Sequence, residues 1–176
     1  TLGIVGCGRI GSAVFEKMQS FGLEFLACDP YLSSERAEKL GIEVVDLDTL
    51  LEKADIVTMH AVLNEETHHL IDAGRLRQMK SSAYLVNTAR GALIDLDALA
   101  VALKEGEIAG AGIDVYVKEP PDPDFALFDC ETALLAPHLG WYSEEANWSI
   151  REKIIEDFVR FIEGRPPRFL INKELA

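Results

Sequence analysis

The sequence predicts an α/β protein, a doubly wound parallel sheet with helices on both faces. Two observations carry this. Short apolar runs alternate with amphipathic helical patterns along the chain, and such strand–helix alternation produces parallel pairing through right-handed crossovers. The strand-like runs are continuously apolar rather than alternating, which marks burial on both faces of the sheet.

Each element follows in order. Leu2-Gly3-Ile4-Val5 reads as a buried strand, and Ile10 to Phe21 as a helix with Ala13, Val14 and Met18 inward. Phe25 to Cys28 is a second strand, ending at Asp29-Pro30. A helix over Ser34 to Leu40, a short strand from Ile42 to Val45 and a helix over Leu47 to Lys53 come next. Asp55 to His60 is strand, Ala73 to Met79 helix and Ala83 to Asn87 strand. Asp95 can cap a helix running to Lys104. Ala109 to Val115 and Ala133 to Ala136 complete the strands. From Ser143 to Glu163 the pattern becomes one long amphipathic helix, with Ile150, Ile154, Ile155, Phe158 and Phe161 or Ile162 inward. Ser143 is its cap, Glu144 and Glu145 suit the positive helix start, and Gly164 and Pro166-Pro167 stop it. The chain therefore divides at residue 142. Residues 1–142 form the sheet domain, and 143–176 a linking helix with a tail, Arg168 to Ala176, that belongs to a second domain.

The bulk numbers bound the function. The 176 residues include 17 Lys and Arg against 30 Asp and Glu, a formal net charge of −13. Such a surface repels phosphate backbones and anionic lipid, so nucleic-acid and membrane binding are disfavoured. A small anion in a local cationic pocket is not excluded. Hydrophobic residues make up 48% of the chain, enough to bury a core. Cys7, Cys28 and Cys130 form no C-x-x-C pair, and no metal-ligand cluster is visible. A reduced, cytoplasmic compartment is expected. No apolar run approaches the roughly 20 residues of a membrane span. Thr1 stands directly on the first strand without an initiator Met, so the chain reads as a piece of a longer protein.

The first strand runs straight into Gly6-Cys7-Gly8-Arg9-Ile10-Gly11 and then a helix, the context in which G-x-G-x-x-G binds a dinucleotide in a Rossmann-type fold. Gly6 permits the tight turn, Gly8 lets backbone approach a pyrophosphate, and Gly11 permits close helix–strand packing. Arg9 and Ile10 offer backbone donors at the helix start. Asp29 follows the next strand, where a carboxylate can accept both adenosine-ribose hydroxyls and repel a 2′-phosphate, favouring NAD over NADP.

Three further strand ends deliver chemistry to the same edge. Asn87-Thr88-Ala89-Arg90-Gly91 places an Arg that can hold a carboxylate with two parallel hydrogen bonds. Ile113-Asp114-Val115-Tyr116 leads to Glu119-Pro120, and Pro137-His138-Leu139-Gly140-Trp141 ends the last strand. Glu119 also reads as a solvated loop acid, and His138 alone as a structural histidine. His60 either lies near the nicotinamide ribose or caps its strand. Ala61 to Thr67, with Asn64, forms a loop passing the cofactor. His68 and His69 face solvent or pack a helix, since adjacent side chains do not share a helix face. Trp148 packs against core or a partner domain.

These stretches (Gly6 to Gly11, Asn87 to Gly91, Gly112 to Val115, Glu119-Pro120 and Pro137-His138) resemble the D-isomer-specific 2-hydroxyacid dehydrogenases. The resemblance covers essentially the whole chain, in order. It implies an NAD-dependent oxidoreductase acting on a small 2-hydroxy or 2-keto acid, cytoplasmic, and a homodimer in the full-length protein. It implies that Arg90 binds the substrate carboxylate and polarises its carbonyl. His138 would be the general acid/base and Glu119 its ring partner. Thr88, Ala89, Asp114 and Gly140 would lie along the cofactor, Asp114 near the nicotinamide carboxamide. Leu63-Asn64-Glu65, His68-His69-Leu70-Ile71 and the segment after His138 look like the C-terminal-binding-protein branch, in which the aromatic at Trp141 lines the substrate pocket. Packing on the long helix is the other reading of Trp141. Val62 stands where many members carry Pro. The branch resemblance keeps an NAD(H)-sensing corepressor-like scaffold as an alternative, alongside dehydrogenases for phosphoglycerate, glyoxylate or hydroxypyruvate, or phosphite. The family's second domain needs an N-terminal segment absent here, so this chain alone is expected to bind NAD(H) but turn over poorly.

Overall fold

The structure, a computed structural model, describes residues 1–168, 170 and 172. The chain divides into two compact units, Thr1–His138 and Leu139–Ala176. Among the described residues the first unit holds seven strands: β1 (Leu2–Val5), β2 (Phe25–Cys28), β3 (Glu43–Val44), β4 (Ile56–Met59), β5 (Tyr84–Asn87), β6 (Gly110–Ile113) and β7 (Ala133–Leu135). All pair parallel, in the order β3-β2-β1-β4-β5-β6-β7. The helices between them are α1 (Arg9–Met18), α2 (Ser34–Leu40), α3 (Leu47–Lys53), α4 (Ala73–Gln78) and α5 (Leu96–Glu105).

Successive residues of β1 explain the double winding. Ile4 belongs to a core with Phe15 of α1, Ala27 and Ile42, whereas Val5 belongs to a larger core with Leu50, Leu76, Leu85 and Leu99. A Cβ on Gly3 would lie 2.5 Å from Leu50 on α3, and one on Gly11 of α1 would lie 3.2 Å from Ile4. Side chains that alternate across a strand thus meet a helix on either face. All four residues of β1 are buried, as continuous apolar strands require.

The helix starts follow the polar residues that precede them. Ser33, Asp46, Asp72 and Asp95 each accept an amide hydrogen three residues on, through Arg36, Thr49, Arg75 and Ala98. Gly41 and Gly106 close α2 and α5 in the left-handed conformation.

Several expectations are corrected. The first helix ends at Met18 and tightens into a 3₁₀ turn over Gln19–Phe21. Its fully buried residues are Gly11, Ser12 and Phe15, while Ala13, Val14 and Met18 are half-buried. Phe15 fills the interior by meeting Phe25 edge-on, ring centres 4.8 Å apart. Gly91–Leu93 and Ala126–Asp129 add 3₁₀ turns that the apolar pattern did not mark.

The second unit contains α6 (Glu144–Ile162), capped by Ser143. The pattern places Ile150, Ile154, Ile155, Phe158 and Phe161 or Ile162 on one inward face; these are exposed, including both Phe161 (71%) and Ile162. An apolar stripe is buried only where a partner surface exists, and one helix with its flanks supplies none. Trp148 is likewise 64% exposed, with Arg151 over its ring at 5.5 Å. In the tail Arg168 to Ala176, residues 169, 171 and 173–176 lie outside the described residues. No helix among the described residues is long and apolar enough to cross a membrane.

Candidate active site

The strand register aligns the site. Cys28, Val5, Met59, Asn87, Ile113 and Leu135 are successive register partners, one row across six strands, and each is its strand's last residue. Asp29, Gly6, His60 and Asp114 stand one residue beyond the row, and Arg90 and His138 three beyond. In an open parallel sheet this carboxyl edge is where ligands bind.

At the first strand end Gly6 adopts φ +88°, and a Cβ there would lie 2.6 Å from the Ala61 nitrogen. Only glycine fits, so the turn rests directly against the β4 exit. Gly8 is the opposite case, since nothing lies within 4 Å of where its Cβ would be, leaving its backbone open to a ligand. α1 has no side-chain cap and no acidic residue in its first turn, so its amide groups stay available to an anion. Asp29 accepts the Cys7 amide at 2.8 Å through Oδ2 and the Tyr31 amide at 2.9 Å through Oδ1. Each oxygen keeps a lone pair for a further donor. A cleft of about 570 Å³ collects Gly6, Gly8, Asp29, His60, Ala61, Asn64 and Thr67 on its walls. These features suit a dinucleotide: an open glycine turn, an uncapped helix start and a carboxylate at the second strand.

His60 bonds the Thr58 hydroxyl through Nε2 at 3.0 Å, and burial draws its pKa below the ordinary histidine value. Burial also pushes the Cys28 thiol up, so its sulfur stays protonated beside the cleft. Asn64 and Thr67 close their own loop: Thr67 donates its hydroxyl to the Val62 carbonyl at 2.6 Å and accepts the Asn64 amide at 2.8 Å. That loop is zipped onto the segment beyond Arg90 through His69 N–H to Ala92 O and Ile71 N–H to Leu93 O. His68 and His69 lie in a turn, not a helix, and their rings stack 4.0 Å apart. His69 reaches this by adopting φ +50°.

At the other strand ends, His138 Nδ1 lies 2.7 Å from Glu119 Oε2. The second Glu119 oxygen accepts the Tyr116 amide at 3.0 Å. The His138 ring and the Tyr116 amide, with Arg90 contributing least, hold the Glu119 carboxyl below its ordinary value. Glu119 is therefore ionised at neutral pH and can only accept, which places a hydrogen on Nδ1 and leaves Nε2 to exchange a proton with a ligand. His138 itself sits at φ +57°, a left-handed conformation uncommon for a residue with a Cβ.

Arg90 is exposed and donates to the Ala89 carbonyl at 2.6 Å. Two residues given no individual role in the sequence analysis position it. Asn87, fully buried, donates to the Arg90 carbonyl at 2.9 Å and accepts the Ala89 amide at 3.0 Å, locking the turn. Gly91 packs on the next strand's exit, where a Cβ would lie 2.6 Å from Tyr116 O and Val117 N. Tyr116 in turn donates its hydroxyl to the Ala136 carbonyl at 2.9 Å, two residues before His138. An asparagine ending a strand was the available signal for the first, since its side chain mimics a turn. For Gly91 and Tyr116 no local signal exists, because their partners are distant in sequence.

Among the other expected residues, Arg9 and Ile10 open α1 and are exposed, Gly11 is buried under the turn, and Thr88 is exposed beside Arg90. Asp114 is buried, its amide donating to Asn87 O at 3.0 Å. None of these lines the 570 Å³ cleft. Gly140 and Trp141 fall in the second unit, where Trp141 packs edge-on against Tyr142 and is half exposed.

Fold and site together define a dinucleotide-binding Rossmann domain with a histidine–carboxylate pair at its carboxyl edge. Residues 1–140 match the model of the D-isomer specific 2-hydroxyacid dehydrogenase, NAD binding domain. The chain belongs to that family, and its cofactor is NAD. It is 45% identical over 176 residues to a glyoxylate reductase of Korarchaeum cryptofilum, covering 100% of this chain and 53% of that protein. It is 40% identical over 172 residues to a D-3-phosphoglycerate dehydrogenase of Archaeoglobus fulgidus, covering 98% and 33%. Among solved structures, the D-isomer specific 2-hydroxyacid dehydrogenase of Lactobacillus delbrueckii ssp. bulgaricus in its NAD complexed form superposes with TM-score 0.88 at 34% identity, covering 97% of this chain and 56% of that one. The chain spans about half the length of the first curated relatives it matches.

The lowered Glu119 pKa has a signed consequence. A carboxyl depressed in the folded state adds stability that is complete above its ordinary value of 4.5 and is lost as pH falls through the lowered one. Both partners are partly exposed, so the contribution is small. In urea denaturation, the excess stability of wild type over Glu119→Gln is expected to shrink as the pH drops below about 4.5. An excess that grows in acid would contradict the assignment.

Proposed function

We propose that the full-length protein is an NAD-dependent D-2-hydroxyacid dehydrogenase, reversibly reducing a small 2-keto acid. The observation that carries this is the His138–Glu119 pair at 2.7 Å, with Glu119 pinned from behind by the Tyr116 amide. In this reading His138 is the general acid/base. Protonated, it gives the Nε2 proton to the substrate carbonyl oxygen during reduction; neutral, it takes the hydroxyl proton in the reverse direction. Glu119 holds the ring orientation through its contact with Nδ1. Arg90 grips the substrate carboxylate and opposes the charge that develops on the carbonyl oxygen. When bound, NADH supplies the hydride to the carbonyl carbon. Gly6, Gly8, Arg9 and Ile10 would receive the pyrophosphate, with Gly11 packed beneath the turn, and Asp29 would take the adenosine-ribose hydroxyls. Thr88, Ala89 and Asp114 would lie along the cofactor.

Three relatives at 41–45% identity are named glyoxylate reductases, which favours a small keto acid of the glyoxylate type. The Archaeoglobus relative, named D-3-phosphoglycerate dehydrogenase, supports phosphoglycerate as the second reading. A cytoplasmic homodimer rests on the family resemblance, and the three free cysteines suit a reducing compartment.

A substrate panel on the full-length protein, followed by NADH loss, is expected to find turnover on a 2-keto acid. His138→Ala should reduce it by about 10²–10⁴-fold. Wild-type turnover in that variant on every active substrate would defeat the mechanism. The role of Asp29 has its own test: calorimetry on this chain should find NADH bound more tightly than NADPH, and the reverse order would remove the argument.

A further inference from the structure

The glycine turn is held by a residue of the next helix. Arg36 of α2 donates from Nη2 to the Ser12 hydroxyl at 2.9 Å and lies 3.4 Å from the Gly8 carbonyl. Ser12, buried, passes its own hydrogen to the Cys7 carbonyl at 3.1 Å. A cation, a hydroxyl and a carbonyl thus form one donor chain in which each bond strengthens the next. At its far end the Cys7 amide donates to Asp29. The carbonyls of Cys7 and Gly8 are taken up by this network, while the start of α1 carries no side-chain cap.

The surrounding charge makes such a residue consequential. The chain carries a net −13, and a pyrophosphate must approach it. Arg36 is not among the residues that line the 570 Å³ cleft. Its guanidinium is bonded to the turn, and its own amide is fixed by the Ser33 cap at 3.3 Å.

We propose that Arg36 is a positioning residue for NAD binding, clamping the Gly6–Gly11 turn through Ser12 and Gly8 so that its amides are preset for the pyrophosphate. The effect is preorganisation: a turn already ordered does not lose that entropy when ligand binds. The proposal rests on the NAD-binding assignment and on nothing at the His138 site.

The test is ligand binding to this chain by chemical-shift titration, with NADH and with adenosine, which lacks the pyrophosphate. Arg36→Ala is expected to weaken NADH about tenfold, the scale of one charge-assisted bond, and to leave adenosine within about twofold. Arg36→Lys, which keeps the charge but not the planar donor, should recover little of the loss. Ser12→Ala, which removes the nearer acceptor and keeps the cation, should weaken NADH in the same selective way and covers the case in which Arg36 variants fold poorly. NADH binding at wild-type strength in Arg36→Ala or Ser12→Ala, equal weakening of adenosine, or full recovery in Arg36→Lys would each overturn the clamp. Failure of the wild-type chain to bind NADH would instead defeat the cofactor assignment on which it rests.

Discussion

Everything at the site depends on one constraint, the common register of six parallel strands. Because Cys28, Val5, Met59, Asn87, Ile113 and Leu135 end in a single row, their exits leave the sheet at one level. A shift of one residue in any pair would turn that strand's side chains to the opposite face and displace its exit. The buried aliphatic cores on both faces are what forbid such a shift. Core packing, which is chemically inert, therefore sets where the glycine turn, Asp29, Arg90 and His138 stand.

The register sets the level, and a second set of contacts sets the spacing between neighbouring exits. The Gly6 turn lies against Ala61, Gly91 lies against the Tyr116–Val117 peptide, and the Tyr116 hydroxyl reaches Ala136. With the His69–Ala92 and Ile71–Leu93 bonds joining the β4 and β5 exits, these contacts run from the cofactor turn at β1 to Ala136 before His138. Such a chain of contacts removes freedom from loops that would otherwise be the mobile part of the fold. It also bears on the left-handed conformation of His138, whose ring is held by Glu119 and whose preceding Ala136 carbonyl is held by Tyr116.

Much of this was legible in the sequence. Continuous apolar runs such as Leu2 to Val5 identify buried parallel strands, because burial on both faces leaves no polar alternation to misread. The glycine turn, Asp29, Arg90, Glu119 and His138 were identifiable because each is a chemically specific residue just past a strand, and the structure brings Glu119 and His138 into direct contact. What escaped is what depends on distant partners. Arg36 reads as a charge on an amphipathic helix, and only the fold aims it at Ser12. Tyr116 and Gly91 carry no periodic signal, and the stacking of His68 on His69 needs a positive φ that sequence does not announce. Periodicity marks the apolar face of α6 but not its partner, and in this chain that face is exposed.

The central claim is that one sheet edge carries both the dinucleotide turn and the His138–Glu119 pair. It is tested most directly by adding NADH to the chain labelled with ¹⁵N-histidine and following the imidazole resonances by NMR. The account predicts that the His138 signal moves and saturates together with cofactor binding, as does that of His60 in the cleft wall, and that Glu119→Gln alters the His138 signal before any cofactor is added. A His138 resonance unmoved at saturating NADH would contradict it.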